Sequence, residues 1–206
     1  MAIALVALVL SACGSGDGAS VDKANDQLRS TSFHSSGTTT AFSGGTQEAW
    51  WDPDRGYRLK ASWIGGSGEM FCKDGKTYTS AALLAHSLQE KGQSVTVPDR
   101  LAGAFVTSET DGGCERFFEI PEAAEHTPED DRTSQGKQTQ AFAVAAGAAR
   151  DTYYIESDTS RLVELVSARN GRFSTTRYDS FGDRFSISPP SDADTMSMDD
   201  FRRHVG

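Results

Sequence analysis

Apolar and polar side chains alternate along most of the chain. The clearest alternation runs from Tyr57 to Ile64, where every second residue through Trp63 is apolar and the residues between are polar or charged. Such alternation is typical of antiparallel strands with one buried face. Turn signals such as Asp74-Gly75 and Asn170-Gly171 separate the strand-like segments. We predict about ten strands, at residues 31–42, 47–51, 57–64, 69–73, 77–79, 137–146, 152–157, 162–168, 173–178 and 185–188.

Helical spacing of apolar residues occurs in two places. Val21, Ala24 and Leu28 predict a short helix over 21–30, and Ala81 to Lys91 predicts a second helix that ends at Gly92. A third, shorter helix is predicted over 114–120. The segment from Glu122 to Gln135 is acidic and apolar-poor, so we expect a surface loop there.

This order of elements favours an α+β fold. We expect one strongly curved antiparallel sheet, a half-barrel, whose concave face is covered by the short helices. The predicted domain spans residues 21–190 and ends at Pro189-Pro190, and residues 191–206 are predicted to be a polar tail. A curled sheet that does not close leaves a hollow under its helices, which is where we expect a ligand.

The N-terminus has the pattern of an exported, lipid-anchored protein. Met1 to Leu10 is uncharged and too short to span a bilayer, and Leu10-Ser11-Ala12-Cys13 resembles a bacterial lipobox. The resemblance implies a signal peptide over 1–12, a diacylglycerol thioether on Cys13, and a flexible tether over 13–20. Because no Lys or Arg precedes Cys13, we expect the true start to lie upstream. The alternative is that Cys13 is an ordinary thiol in an apolar helix.

The remaining cysteines are Cys72 and Cys114. Outside the cytoplasmic membrane an even number of cysteines usually forms disulfides. We therefore expect a Cys72–Cys114 bridge, with two buried free thiols as the alternative.

Composition and charge exclude several functions. The formal net charge is −9, opposite to what binding to nucleic-acid phosphates requires, so we expect no nucleic-acid partner. An anionic membrane would also repel the chain unless an anchor holds it there. The four histidines, His34, His86, His126 and His204, are scattered and form no metal motif. We found no set of residues arranged for catalysis, and we predict no metal, no cofactor and no enzymatic activity.

Three stretches resemble a known family: GEMFCKDGKTYTS from Gly68, TYYIESDTSRLVELV from Thr152, and TTRYDSFGDRFSISPP from Thr175. Together with the lipobox they resemble the actinobacterial LppX/LprG-type lipoproteins, which share the half-barrel of the LolA-like carriers. The resemblance implies a protein that carries or binds acyl chains outside the cytoplasmic membrane.

We therefore expect a monomeric lipoprotein on the extracytoplasmic face of the cell membrane that binds or shuttles a lipid. An acyl pocket is predicted to be lined by Leu59, Trp63, Phe71, Leu84, Leu88 and Phe118. The alternative is a half-barrel with a filled core that acts as a non-catalytic interaction or sensor module of the envelope.

Overall fold

The computed structural model describes residues 17–205 and places three α-helices against one sheet of 13 strands. The helices are α1 (Asp17–Ser30), α2 (Ala81–Gln89) and α3 (Met198–His204). The strands are β1 (Phe33–Thr38), β2 (Thr46–Asp52), β3 (Gly56–Trp63), β4 (Gly66–Lys73), β5 (Lys76–Ser80), β6 (Phe105–Glu109), β7 (Glu125–His126), β8 (Arg132–Ser134), β9 (Lys137–Ala146), β10 (Ala149–Glu156), β11 (Leu162–Arg169), β12 (Arg172–Asp179) and β13 (Thr195–Ser197).

Neighbouring strands pair antiparallel, except that β13 runs parallel to β6. The order across the sheet is β13-β6-β5-β4-β3-β2-β1-β12-β11-β10-β9-β7, and β8 also pairs with β9. Because consecutive antiparallel strands reverse direction, their turns alternate between two ends of the sheet. The disulfide end holds the turns at 53–55, 74–75 and 157–161. The mouth is the opposite end, with the 39–45 loop and the turns at 64–65, 147–148 and 170–171.

The strand register divides side chains between an inner face, which the helices cover, and an outer face. On β3, Tyr57 and Leu59 point inward and Arg58 points outward, as the alternation predicts. Helix α1 packs Ala24 and Leu28 into the main core cluster of the inner face. The architecture is therefore α+β, with a large, open, curled sheet and helices on one face.

The sheet has more strands than the sequence predicts. Strands β6, β7, β8 and β13 lie in segments predicted to be loop, mixed structure or tail, and the last three are only two or three residues long. The predicted strand at 185–188 is wrong, since that segment is irregular. Its alternating pattern has no free partner, because β12 already pairs with β1 on one side and β11 on the other.

The folded domain extends past the boundaries that the sequence predicts. Helix α1 already begins at Asp17, within the predicted tether. At the other end, residues 191–206 are not simply a polar tail, because β13 joins the sheet and Phe201 of α3 has no exposed surface. The predicted helix over 114–120 is reduced to a 3₁₀ turn at Glu115–Phe117. The signal peptide, Cys13 and the first residues of the tether lie outside the described residues.

Candidate functional site on the inner face

The inner-face residues predicted to line an acyl pocket fall into separate clusters. Phe118 is buried in the main core cluster, and Leu59 packs at its margin. Trp63 packs into a second cluster with α2. Leu84 and Leu88 point to a third cluster, which α2 forms with β6 and α3. No single pocket therefore gathers the predicted set.

Phe71 lies on the outer face, contrary to the prediction that it lines the pocket. In the register of β3 and β4, Phe71 pairs with Arg58, whereas Leu59 pairs with Met70. Directly paired residues share a face, so Phe71 and Leu59 point in opposite directions. Phe71 instead packs beneath the guanidinium of Arg58 and against the ring of Phe105.

The disulfide half of the inner face is closed by α1 and by the segment that follows Cys114. A disulfide of 2.06 Å joins Cys72 of β4 to Cys114 and holds this segment over the sheet. The ring of Phe118 then lies 4.9 Å from Trp51 and 5.2 Å from Phe33. Side chains next to a void the size of water would keep accessible surface, yet several here have essentially none: Leu28, Phe33, Ile120, Phe142 and Leu162.

A buried amide fixes α1 to the same segment. The Nδ2 of Asn25 donates to the carbonyl of Ile120 at 2.8 Å, and its Oδ1 accepts from the Ile120 N–H at 2.9 Å. The N–H and the carbonyl of Ile120 therefore both have a hydrogen-bond partner although they are buried. Loss of this amide would leave two buried polar groups unsatisfied, which ties the position of α1 to a specific side chain.

The mouth half is covered by α2 and by one aromatic side chain from the 39–45 loop. The ring of His86 lies between Phe42, at 4.7 Å, and Trp63, at 4.2 Å and nearly parallel. Helix α2 rests directly on β4 at Gly68, where a Cβ would come within 2.6 Å of the Leu83 Cβ. The N-terminus of α2 is held by a buried hydrogen bond from the Leu83 N–H to the Ser80 hydroxyl, whereas Phe42 belongs to a loop.

Several inner-face apolar side chains between the main core and the mouth are only partly exposed. On β3, β4 and β9 such a residue lies two positions nearer the mouth than a buried core residue, and on β11, where a bulge shifts the register with β10, it lies three positions nearer. These partly exposed residues are Leu59, Met70, Val144 and Leu165. On β2, β1 and β12, which lie between β3 and β11, the floor consists of the small side chains of Ala49, Ser35 and Thr176, and small Ala61 follows Leu59 on β3. This arrangement leaves apolar surface that hydrocarbon could cover.

A cleft of about 530 Å³ opens at the mouth. It lies between the end of α2, the 39–45 loop and the 170–171 turn. Phe42 contributes its buried apolar wall, and Arg169, Arg172 and Lys91 contribute cationic side chains. The Nη1 of Arg172 lies 3.2 Å from a carboxylate oxygen of Glu90 and so connects the hairpin to α2. The cleft therefore combines polar and apolar surface, as an amphiphile requires.

Cavity volume alone does not identify the site. A hollow of about 700 Å³ lies on the outer face, lined by polar and charged residues that include Glu48, Lys60 and Arg177. Hydrocarbon would gain little there, because binding of an acyl chain depends on the apolar area removed from water. The mouth of the inner face has the smaller cleft but adjoins the apolar margin.

Buried tyrosines show how dry the disulfide half is. Burial raises the pKa of Tyr57 and of Tyr178 far above the ordinary value for a phenol. Burial also raises the pKa of Tyr153, with the nearby Asp151 carboxylate adding to the effect. A phenol that resists ionisation to this degree has little access to water, in agreement with the packed rings around it.

The histidines occupy separate places in the fold. His34 lies beside Asp179 at 2.9 Å, His126 beside Asp131 at 3.2 Å, and His204 beside Arg100. Within residues 17–205, no group of three or more His, Cys, Asp or Glu side chains could hold a metal ion. Over the same range, no helix has the length and apolarity needed to cross a membrane.

Local sequence patterns do not indicate the residues that build the mouth. Phe42 falls at the end of a predicted strand, His86 was considered only as a metal ligand, and Arg172 was not considered. Only Phe42 left a signal: it is the last large apolar residue in a stretch of Ser, Thr and Gly before Gly44-Gly45. The cationic groups come together only through the pairing of β12 with β1, which no local pattern indicates.

No protein-family model and no curated protein matches this sequence. Among solved structures, the chain is similar to an uncharacterized conserved protein from Thermus thermophilus, with a TM-score of 0.54 and 12% identity over 87% of this chain and 97% of that one. It is also similar to the lipoprotein LppX of Mycobacterium tuberculosis, with a TM-score of 0.50 and 10% identity over 83% of this chain and 97% of LppX. The chain therefore has the LolA-like fold of the LppX/LprG-type lipoproteins, as its sequence motifs predict.

Proposed function

We propose that this protein is a non-catalytic lipoprotein, anchored through Cys13 to the extracytoplasmic face of the cell membrane, that binds an acyl chain of a lipid in the mouth half of its inner face. The observation that carries the proposal is the partly exposed apolar margin beside the main core, where Leu59 follows buried Tyr57 and Val144 follows buried Phe142. The fold shared with LppX supports it, and so does the acyl-chain binding that the sequence resemblance implies.

An acyl chain would enter by displacing Phe42. Exposing one buried phenylalanine costs about 1.5–3 kcal/mol, whereas each methylene moved out of water contributes about 0.8 kcal/mol. A chain with about ten buried methylenes would therefore repay the displacement about threefold. Because Phe42 belongs to a loop, it can move without disturbing the paired strands β1 and β2 on either side of it.

A second candidate function is the interaction or sensor module with a filled core. The packing of the disulfide half favours it, since Phe33 and Phe142 have essentially no exposed surface. This candidate requires that the mouth half also stay closed to guests. The two functions therefore differ in whether a lipid reaches the residues beneath Phe42.

The tryptophans of the chain allow a matched test. Trp50 and Trp51 are neighbours on β2 that point to the outer and inner face respectively, and Trp63 lies beneath the mouth. We would prepare variants of the full chain that each keep one tryptophan, with phenylalanine at the other two positions and Cys13→Ser to prevent acylation. Each variant would be titrated with a fatty acid brominated in mid-chain, because bromine quenches tryptophan fluorescence only at short range.

We expect the variant that keeps Trp63 to be quenched and the variant that keeps Trp50 to stay bright. The variant that keeps Trp51 should also stay bright, because its ring is packed in the disulfide half. No quenching in any variant would contradict acyl binding and leave the interaction module. Equal quenching of Trp50 and Trp63 would show adsorption without an inner-face site and would contradict the proposal as well.

The anchor is tested separately, by mass spectrometry of the mature N-terminus of the unsubstituted chain. We expect an N-terminal Cys13 carrying a diacylglycerol thioether. A chain that keeps Met1, or a free thiol at Cys13, would contradict the anchor without affecting the acyl site.

A further inference from the structure

Two large apolar side chains stand out in solvent, and both lie at the mouth. Within the described residues, Ile64 is 89% exposed and Phe173 is 76% exposed, and these are the large apolar residues that stay fully outside the core. Ile64 belongs to the 64–65 turn, and Phe173 follows the 170–171 turn. Scattered single apolar residues need no explanation, but a pair confined to one end of the sheet does.

The 39–45 loop connects these two residues into one surface. A Cβ on Gly44 would lie 4.0 Å from the Cδ1 of Ile64. Four residues earlier, the carbonyl of Thr40 accepts a hydrogen bond from the Nη1 of Arg172 at 3.4 Å. Arg172 immediately precedes Phe173 on β12, so the loop that carries Phe42 reaches Ile64 on one side and the start of β12 on the other.

The mouth cleft is lined by more cations than carboxylates, whereas the whole chain has a net negative charge. Arg169, Arg172 and Lys91 surround the mouth cleft, with Glu90 as the carboxylate among its lining residues. Arg169 also pairs with Asp151 on the inner face, yet its side chain stays 48% exposed, and that of Arg172 stays 44% exposed. At the disulfide end, by contrast, the 109–119 segment holds several carboxylates and only Arg116 as a cation.

We propose that the mouth docks on an anionic lipid bilayer, with Ile64 and Phe173 inserted at the interface and with Arg169, Arg172 and Lys91 against headgroup phosphates. This surface is separate from the Cys13 anchor. It goes beyond the proposed acyl site and does not require that a chain be bound there. Docking by this end would present the opening beside Phe42 directly to the membrane.

The net charge of −9 does not oppose this orientation. At physiological ionic strength charges are screened over about 8 Å, so a bilayer responds mainly to the groups that touch it. The cations of the mouth cleft are attracted, and the acidic 109–119 segment is turned away from the surface. Binding should therefore weaken as salt is raised, until only the hydrophobic contribution of Ile64 and Phe173 remains.

The test uses the full chain with Cys13→Ser, so that no lipid anchor contributes, and measures cosedimentation with vesicles. Vesicles of phosphatidylcholine containing phosphatidylglycerol are compared with vesicles of phosphatidylcholine alone. We expect binding to the anionic vesicles that falls with salt, and a loss of about tenfold or more in the Ile64→Ser/Phe173→Ser variant. Both residues are exposed, so the variant should keep the unfolding midpoint of its parent.

A charge variant and its control test whether the electrostatic contribution to vesicle binding comes from the mouth. Arg172→Gln/Lys91→Gln should weaken binding to anionic vesicles several-fold and leave binding to neutral vesicles unchanged. Arg177→Gln, which removes an exposed cation of the outer face, should have little effect. All variants share one N-terminus, so differences among them report on the mouth alone.

Absence of vesicle binding by the Cys13→Ser chain would overturn the proposal, and so would equal binding of the Ile64→Ser/Phe173→Ser variant. Equal loss in Arg177→Gln and in the mouth charge variant would also overturn it, because binding would then follow total charge and not the mouth. The fatty-acid titration of Trp63 involves no vesicle. Failure of docking and failure of the proposed acyl site are therefore distinguishable.

Discussion

Helix α1 and helix α2 cover the same face of one sheet but are held in different ways. Helix α1 is fixed by the buried Asn25 amide, and it packs Leu28 among rings with no exposed surface. Helix α2 is capped by Ser80 through one buried hydrogen bond and packs Ala81 into the cluster that holds Phe201. Its C-terminal end is joined to the far hairpin by the partly exposed Arg172–Glu90 pair. Buried hydrogen bonds specify one position, whereas an exposed ion pair contributes little and is easily broken.

The difference shows how one fold can hold both a fixed core and an adaptable site. The disulfide half receives its aromatic side chains from a segment that Cys114 ties to the sheet. The mouth half receives Phe42 from a loop between β1 and β2. The segment that covers the disulfide half is therefore tied to the sheet, whereas the loop that covers part of the mouth half is able to move.

Removal of the disulfide should have the largest effect on this division. The bridge closes a loop of 42 residues, which on the chain-entropy account stabilises the fold by about 4 kcal/mol. We expect Cys72→Ala/Cys114→Ala to lose about that much free energy of unfolding in urea. Cys13→Ser serves as the control for loss of a cysteine. A loss below about 1 kcal/mol would show that the segment after Cys114 is held by packing alone.

A pair of phenylalanine variants compares the two halves directly. Phe33→Ala should cost about 3–5 kcal/mol, because the ring has no exposed surface and contacts Phe118, Tyr178 and Phe181. Phe42→Ala should cost less than half as much, about 1–2 kcal/mol, because the loop and solvent can fill its place. Urea unfolding of both variants measures the difference. Equal costs would contradict the division into a fixed and an adaptable half.

The polar contacts that hold α1 and α2 in place should give a smaller difference in the free energy of unfolding. Asn25→Ala should destabilise the fold by about 2 kcal/mol, since both Ile120 backbone groups lose their partner in a buried site. Arg172→Gln should change stability by no more than about 0.5 kcal/mol, because its pair with Glu90 is partly exposed. Chemical denaturation of the two variants measures both losses. A larger loss for Arg172→Gln than for Asn25→Ala would show that α2 is held more strongly than α1 and would contradict the account.

Alkaline titration should reveal the same asymmetry without any mutation. Burial raises the pKa of Tyr57 and Tyr178 in the folded state, so the folded protein holds these phenol protons at pH values where the unfolded chain, with a pKa of about 10, releases them. Stability should therefore fall as pH rises above about 10. Tyrosinate absorbance should rise for these residues only as the protein unfolds. Their reversible ionisation in the folded protein would contradict a dry disulfide half.

Local sequence patterns predicted much of the disulfide half and little of the mouth. The alternation in β3 and the helical spacing of α1 depend on neighbouring residues, and both agree with the structure. The face of Phe71 was wrong because it depends on how β4 registers against β3, and a shift of one residue reverses every side chain.

Pairings between distant segments account for the remaining differences. In the pairing of β13 with β6, Thr195 lies opposite Phe105, 90 residues earlier in the chain, and the sequence of Thr195–Ser197 contains no sign of its partner. The mouth cleft likewise joins Phe42, Lys91 and Arg172 from three separate segments. A site assembled in this way has no motif, so its residues could be found only once the sheet order was known.

Hydrogen exchange, followed by mass spectrometry with and without oleic acid, tests the central claim most directly. The account predicts that amides of α2 and the 39–45 loop exchange much faster than those of α1, and that oleic acid slows exchange at the mouth while α1 stays unchanged. Equally slow exchange in α1 and α2, with no response to oleic acid, would contradict a mouth that opens to admit a lipid.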